Sequence, residues 1–256
     1  MPIIQINGLN INYIQQGNHG WNMVCLHGWG QNIEMMQKIA DHFQYDFKVT
    51  VLDFPGFGQS DDPHSSWSVQ DYAHFLSDFL ITLNIQNPIL IGHSFGCRVA
   101  THYALIHPVH KMVFTGGAGI RPKRKLGWYF RTYSYKLAKF VFKISMLNQY
   151  EENMKKVFGS TDYQNASGIM RETLVKVVND DTTEILNKMM MPVLLVWGDQ
   201  DEQTPLWMGK TMEEKMPNAG LAIFEGDDHY AYFHQWERFN RVLDIFLKEE
   251  KENSHD

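Results

Sequence analysis

Acyl-transfer chemistry needs a nucleophile, a base and a group that holds the base, and this chain offers all three. The nucleophile is Ser94, central in Gly92-His93-Ser94-Phe95-Gly96. A serine hydroxyl is a poor nucleophile at neutral pH until a base takes its proton and a third group keeps that base in one tautomer. His229 is placed to be the base, in the loop Glu225-Gly226-Asp227-Asp228-His229-Tyr230. Asp199, Asp201, Glu202, Asp227 and Asp228 all compete for the third role. Asp199 is nearer a strand end and suits a turn, while Asp227 and Asp228 adjoin His229 and read as loop formers. Attack on an acyl carbon also creates an oxyanion that needs two donors. The backbone N–H of Phe95 is one, and that of Trp29, in His27-Gly28-Trp29-Gly30, is the other.

These residues require elements that carry them to one edge. Pro88 to Ile91 is a short apolar strand, and Val99, Ala100, Tyr103 and Ala104 follow at helical spacing, so Ser94 falls on a tight strand-to-helix turn. The competing reading makes Ser94 an ordinary helix N-cap. Upstream, Ile3 to Ile6 and Leu9 to Ile14 form a hairpin across Asn7-Gly8. Strands follow at Met23–Leu26 and Lys48–Asp53, with a helix from about Ile33 to Phe43 between them. Ser68 and Asp71 stand at capping-box spacing before a helix carrying Tyr72, Phe75, Leu76, Phe79, Leu80 and Leu83. Further strands are expected at Met112–Phe114, Pro192–Trp197 and Leu221–Phe224, with helices over Leu206–Met216 and through Trp236, Phe239, Val242, Leu243 and Phe246. Strands alternating with helices predict an α/β fold, a mostly parallel twisted sheet covered by helices on both faces. Asp201 and His229 each follow a strand, so both come to the C-terminal edge, where ligands of open parallel sheets bind.

The alternation stops at Gly116-Gly117-Ala118-Gly119. Residues 120–188 read as helical and rich in aromatics, and are expected to be a cap over a substrate cleft, inserted into a core made of 1–119 and 189–256. Such a cap predicts a small-molecule substrate with an apolar acyl or aryl group. The 256 residues include 44% hydrophobic types, enough for a sizeable core, and the formal net charge of −6 argues against a nucleic-acid partner. Cys25 and Cys97 are isolated, and neither a leader pattern nor an apolar run of membrane-spanning length is seen, so a cytoplasmic protein with no membrane partner is expected. Several other features read as structural. Gly56-Phe57-Gly58-Gln59-Ser60 lacks the rest of a phosphate-binding loop. His93 is expected to pack or hydrogen-bond locally beside the strand, and His234 to belong to a helix surface or a pocket wall. His102, His107 and His110 are read as unaccompanied by acids, with no metal between them. Lys248 to Asp256 reads as a frayed charged tail.

Taken together, Leu26-His27-Gly28-Trp29, Asp53-Phe54-Pro55-Gly56-Phe57-Gly58-Gln59-Ser60, Gly92-His93-Ser94-Phe95-Gly96, Gly198-Asp199-Gln200-Asp201 with Thr204-Pro205, and Gly226-Asp227-Asp228-His229 resemble the α/β-hydrolase fold superfamily over nearly the whole chain. The resemblance implies Ser94 as nucleophile, His229 as base and Asp201 as the acid. It implies Trp29 and Phe95 as oxyanion donors, a cap formed by the insertion, and chemistry without a cofactor. Ser94 stands where dehalogenase-like members carry Asp, and Tyr230 where hydroxynitrile lyases carry Lys. A serine esterase acting on a small or medium carboxylic ester assumes least. The alternatives are a C–C bond hydrolase or aminopeptidase with the same triad, and a ligand-binding protein on this fold without turnover.

Overall fold

Each central strand alternates its apolar side chains between two separate cores. In β3 (Asn22–Leu26), Val24 and Leu26 enter one core and Met23 and Cys25 the other. The same division holds for Leu90 against Ile89 and Ile91 of β5 (Ile89–His93), and for Met112 and Phe114 against Val113 of β6 (Lys111–Thr115). Period-two alternation with both faces apolar means that both faces must be covered. Helices α2 (Val69–Thr82) and α3 (Phe95–Tyr103) cover the first face, and α1 (Glu34–Phe43) covers the second.

The computed structural model describes residues 2–121, 162, 163, 166 and 168–253. Most of the expected cap, including the aromatic stretches from Trp128 to Phe142 and from Tyr150 to Phe158, lies outside the described residues. Strands β1 (Ile3–Ile6), β2 (Leu9–Gln16), β4 (Lys48–Leu52), β7 (Val193–Gly198) and β8 (Ala219–Phe224) complete an eight-stranded sheet of order β1-β2-β4-β3-β5-β6-β7-β8. Only the β1–β2 and β2–β4 pairings are antiparallel; the rest are parallel, with Leu26 beside Leu52 and Gly92 beside Phe114. The α/β fold is thus as expected, and β5 lies near the middle of the sheet.

The start of α2 is fixed as its sequence predicts: Ser68 Oγ accepts from Asp71 N and Asp71 Oδ2 accepts from Ser68 N. Helix α4 (Gly168–Asn179) covers the expected helical stretch from Ile169 to Val178, and α5 (Leu206–Lys215) that from Leu206. The last helix is interrupted at Gln235, giving α6 (Ala231–His234) and α7 (Trp236–Phe246). The charged tail departs from expectation through residue 253. Lys248–Glu252 forms a short helix, α8, that packs on the body. Glu250 is buried and accepts from Lys111 Nζ at 2.8 Å, with His110 Nε2 at 2.7 Å. Lys251 Nζ lies 2.9 Å from both Asp46 and Asp244. Charges that look solvated along the chain are paired through long-range contacts.

Candidate active site

Ser94 holds a conformation that costs energy for any residue with a side chain. Its φ is +48° and its ψ −107°, in a region where a non-glycine residue is strained by about 1–3 kcal/mol. Backbone hydrogen bonds fix it there: Ser94 N donates to Thr115 O at 3.0 Å, and Ser94 O accepts from Cys97 N and Ala118 N, each at 3.1 Å. The flanking glycines permit the close packing. A Cβ on Gly92 would stand 2.9 Å from Cys97 N, and one on Gly96 would collide with the Leu26 carbonyl. The Ser94 side chain makes no capping hydrogen bond to α3, so the N-cap reading does not describe it.

Asp201 and His229 meet at the same sheet edge, after β7 and β8. His229 Nδ1 lies 2.7 Å from Asp201 Oδ2, with both side chains buried. A carboxylate oxygen accepts, so Nδ1 carries a hydrogen, and in the neutral tautomer this selects, Nε2 is the acceptor. Asp201 Oδ1 accepts from the N–H groups of Gln203 at 2.9 Å and Thr204 at 2.8 Å. The other acids are engaged elsewhere or exposed. Asp199 Oδ1 accepts from Gly226 N, and Asp228 Oδ1 from Tyr230 N. Asp227 Oδ1 accepts from Asp228 N and lies 2.8 Å from His234 Nδ1, and Glu202 is exposed. Asp227, Asp228 and His234 bring three ligand-type atoms within 4.8 Å of one another, but their short contacts close the loop that presents His229.

His93, next to Ser94 in the chain, packs against the His229 ring. Its buried ring lies 4.7 Å from that of His229, centroid to centroid, and also packs against Tyr230 and Tyr232. Its Nδ1 is 3.0 Å from Thr115 O, so it donates there, and Nε2 is a buried acceptor without a partner among the described residues. Burial and the neighbouring His229 hold its pKa well below the ordinary histidine range, and the ring is neutral.

The loop after β3 is set by a second buried histidine. His27 Nδ1 donates to Gly28 O at 2.7 Å and Nε2 accepts from Phe54 N at 2.9 Å. Burial lowers its pKa from 6.5 to about 4, against the opposing pull of the Gly28 carbonyl and Asp53. Gly28 N donates to the Gln31 side chain. The N–H groups of Trp29 and Phe95 have no hydrogen-bond partner among the described residues. The Trp29 ring meets Phe57 at 4.8 Å and Phe95 at 5.6 Å, both edge-on, and Met170 of α4 packs over Gly56. These rings pack together, with Phe57 and Phe95 buried in the core.

Two expectations are refined. The glycine-rich loop after β4 is a brace, because the buried Asp53 carboxylate accepts from Ile33 N, Asn12 Nδ2 and Gln59 N. His102 and His110 do have acidic partners, Asp180 at 3.0 Å and Glu250 at 2.7 Å, which lie 78 and 140 residues away in sequence. Beside the expected residues stands Thr204. Its hydroxyl lies 2.8 Å from Asp201 Oδ2 and 3.2 Å from His229 Nδ1. Its signal in the sequence is its place in the segment Gly198-Asp199-Gln200-Asp201 with Thr204-Pro205, which carries no role for the hydroxyl by itself. None of the described helices is long and apolar enough to cross a membrane.

A family model described as alpha/beta hydrolase fold matches residues 22–235. A 2-hydroxy-6-oxononadienedioate/2-hydroxy-6-oxononatrienedioate hydrolase from Burkholderia vietnamiensis is 28% identical, the match covering 94% of this chain and 91% of that one. A pimeloyl-(acyl-carrier protein) methyl ester esterase from Vibrio campbellii is 24% identical, with 88% and 94% covered. Among solved structures, an esterase from Exiguobacterium antarcticum aligns with a TM-score of 0.74 at 22% identity, over 96% of this chain and 98% of that one. An enol-lactonase from Burkholderia xenovorans aligns with a TM-score of 0.75 at 17% identity, over 96% and 100%. These structural likenesses carry the fold.

Proposed function

The chain belongs to the α/β-hydrolase family, and from that premise we propose that it is a serine hydrolase that cleaves a small or medium carboxylic ester through an acyl-enzyme. Ser94 Oγ attacks the ester carbon while His229 Nε2 takes its proton. Asp201 keeps the imidazole in the tautomer that leaves Nε2 free, and it stabilises the imidazolium that forms. The N–H groups of Trp29 and Phe95 receive the developing oxyanion. Collapse of the tetrahedral intermediate expels the alcohol, which takes the proton back from His229. Water then repeats the sequence on the acyl-enzyme and returns Ser94. Side chains, two backbone amides and water supply each of these steps.

The observations that carry the reading are the 2.7 Å Asp201–His229 pair and a strained Ser94 whose side chain makes no capping hydrogen bond. The partly buried Trp29 ring, packed on Phe57 and Phe95, supports an apolar acyl or aryl group. Residues 120–188 would form the cap, between core segments 1–119 and 189–256. A second reading, hydrolysis of a carbon–carbon bond with the same three residues, is favoured by the likeness to the Burkholderia vietnamiensis hydrolase.

The test is fluorophosphonate labelling of the parent and of Ser94→Ala, with turnover measured on a panel of p-nitrophenyl esters. Labelling and ester turnover that both depend on Ser94 support the esterase. Labelling without ester turnover supports the second reading, and no Ser94-dependent labelling rejects both.

A further inference from the structure

The Asp201–His229 hydrogen bond does not stand alone. Thr204 is buried and reaches Asp201 twice: its N–H donates to Oδ1 at 2.8 Å, and its hydroxyl lies 2.8 Å from Oδ2. Oδ2 is also the oxygen that receives His229 Nδ1–H. The hydroxyl has a second acceptor within reach, the Gly116 carbonyl at 3.0 Å. It has one proton to give, and an ionised carboxylate is the stronger acceptor. Thr204 itself is held from behind, since the buried Trp197 indole N–H donates to its carbonyl at 2.6 Å.

A carboxylate on a short side chain held at one oxygen alone still rocks about its last bond, and a bond to the second oxygen narrows that motion. Without that restraint, Oδ2 would leave the line of Nδ1–H for part of the time, and the imidazole would lose both its tautomer and its aim. Gln203 N and Thr204 N hold Oδ1. Apart from His229 itself, the only hydrogen-bond partner of Oδ2 among the described residues is the Thr204 hydroxyl. A valine at this position would fill the same volume and keep the backbone bond, but would leave Oδ2 with the imidazole alone.

We propose that Thr204 is a positioning residue that fixes the rotation of the Asp201 carboxylate through its hydroxyl and thereby keeps His229 aligned as the base. The proposal rests on the reading of Ser94, His229 and Asp201 given above. It acts on catalysis through kcat, because its hydroxyl contacts Asp201 and His229.

The test uses Thr204→Val and Thr204→Ser with two readouts. The first is the kinetics of p-nitrophenyl ester hydrolysis. Loss of one charge-assisted hydrogen bond at the triad is expected to lower kcat in Thr204→Val about ten- to a hundred-fold with KM within about twofold, and Thr204→Ser is expected to restore it. The second is the downfield proton resonance of His229 Nδ1–H, recorded in the Ser94→Ala background, where no turnover is needed. It should shift or broaden in Thr204→Val and return in Thr204→Ser. An unmoved resonance, or a serine variant no better than valine, overturns the proposal. If hydrolysis proves independent of Ser94, the functional reading fails by itself, and the resonance still decides whether Thr204 holds the Asp201–His229 pair.

Discussion

Acid should loosen this fold through His27 well before its carboxylates titrate. The folded ring is buried and neutral, with a pKa of about 4 against 6.5 when free. Below pH 6.5 the unfolded chain takes up a proton that the folded chain refuses, so stability is lost as pH falls from about 6.5 to about 4. The full shift corresponds to about 3 kcal/mol, and about 2 kcal/mol of this is gone by pH 5. His93 adds to the loss with the same sign, since burial and His229 hold its pKa well below the ordinary range. Urea unfolding followed by tryptophan fluorescence at pH 7.5, 6 and 5, on the parent and on His27→Gln, isolates the His27 share. The variant starts less stable, because Gly28 O and Phe54 N lose their partner. From pH 7.5 to 5, however, it should lose about 2 kcal/mol less than the parent. Parallel pH dependences in the two proteins would refute the reasoning. The consequence for function is direct: Nε2 must stay unprotonated to accept from Phe54 N–H, and the loop so held carries the Trp29 amide.

Two further outcomes follow from the same contacts. Asp201→Asn should lower kcat about 10³–10⁴-fold, with little change in folding, because an amide in that place permits the wrong His229 tautomer; steady-state kinetics beside a thermal melt would separate the two. Truncation after Leu247 removes Glu250 and leaves the largely buried Lys111 ammonium without its carboxylate. A cost of about 1–3 kcal/mol in urea unfolding is expected, and no measurable cost would mean that the C-terminal helix contributes nothing.

How much of this was legible depended on whether the signal was local. The turn around Ser94 could be read because close contacts with Cys97 and Leu26 demand glycine at 92 and 96, and that spacing around a serine is a local pattern. The strands could be read because burial on both faces leaves unbroken apolar runs such as Ile89-Leu90-Ile91. The choice of Asp201 over Asp199 came from the family pattern and not from spacing; in the folded chain the distinction is physical, since Asp199 is engaged by Gly226 N. What stayed hidden were polar pairs joined across the fold. Asp180 belongs with Arg98 and His102, and Glu250 with His110 and Lys111, at separations of 78 to 140 residues that no periodicity reports. Asp53 looked like the start of a glycine loop, yet its carboxylate ties that loop to Asn12 and Ile33. Thr204 was visible as a residue, but its hydroxyl had no apparent task until Asp201 and His229 stood beside it.

The central claim is an acyl group carried on Ser94. Mixing the protein with p-nitrophenyl butyrate, quenching in acid within the first turnovers and weighing the intact chain tests it directly. A species heavier by one butyryl group is expected, mapping by peptide to Ser94 and absent from Ser94→Ala. Turnover with no acyl adduct in either protein, or an adduct that persists in Ser94→Ala, would contradict it.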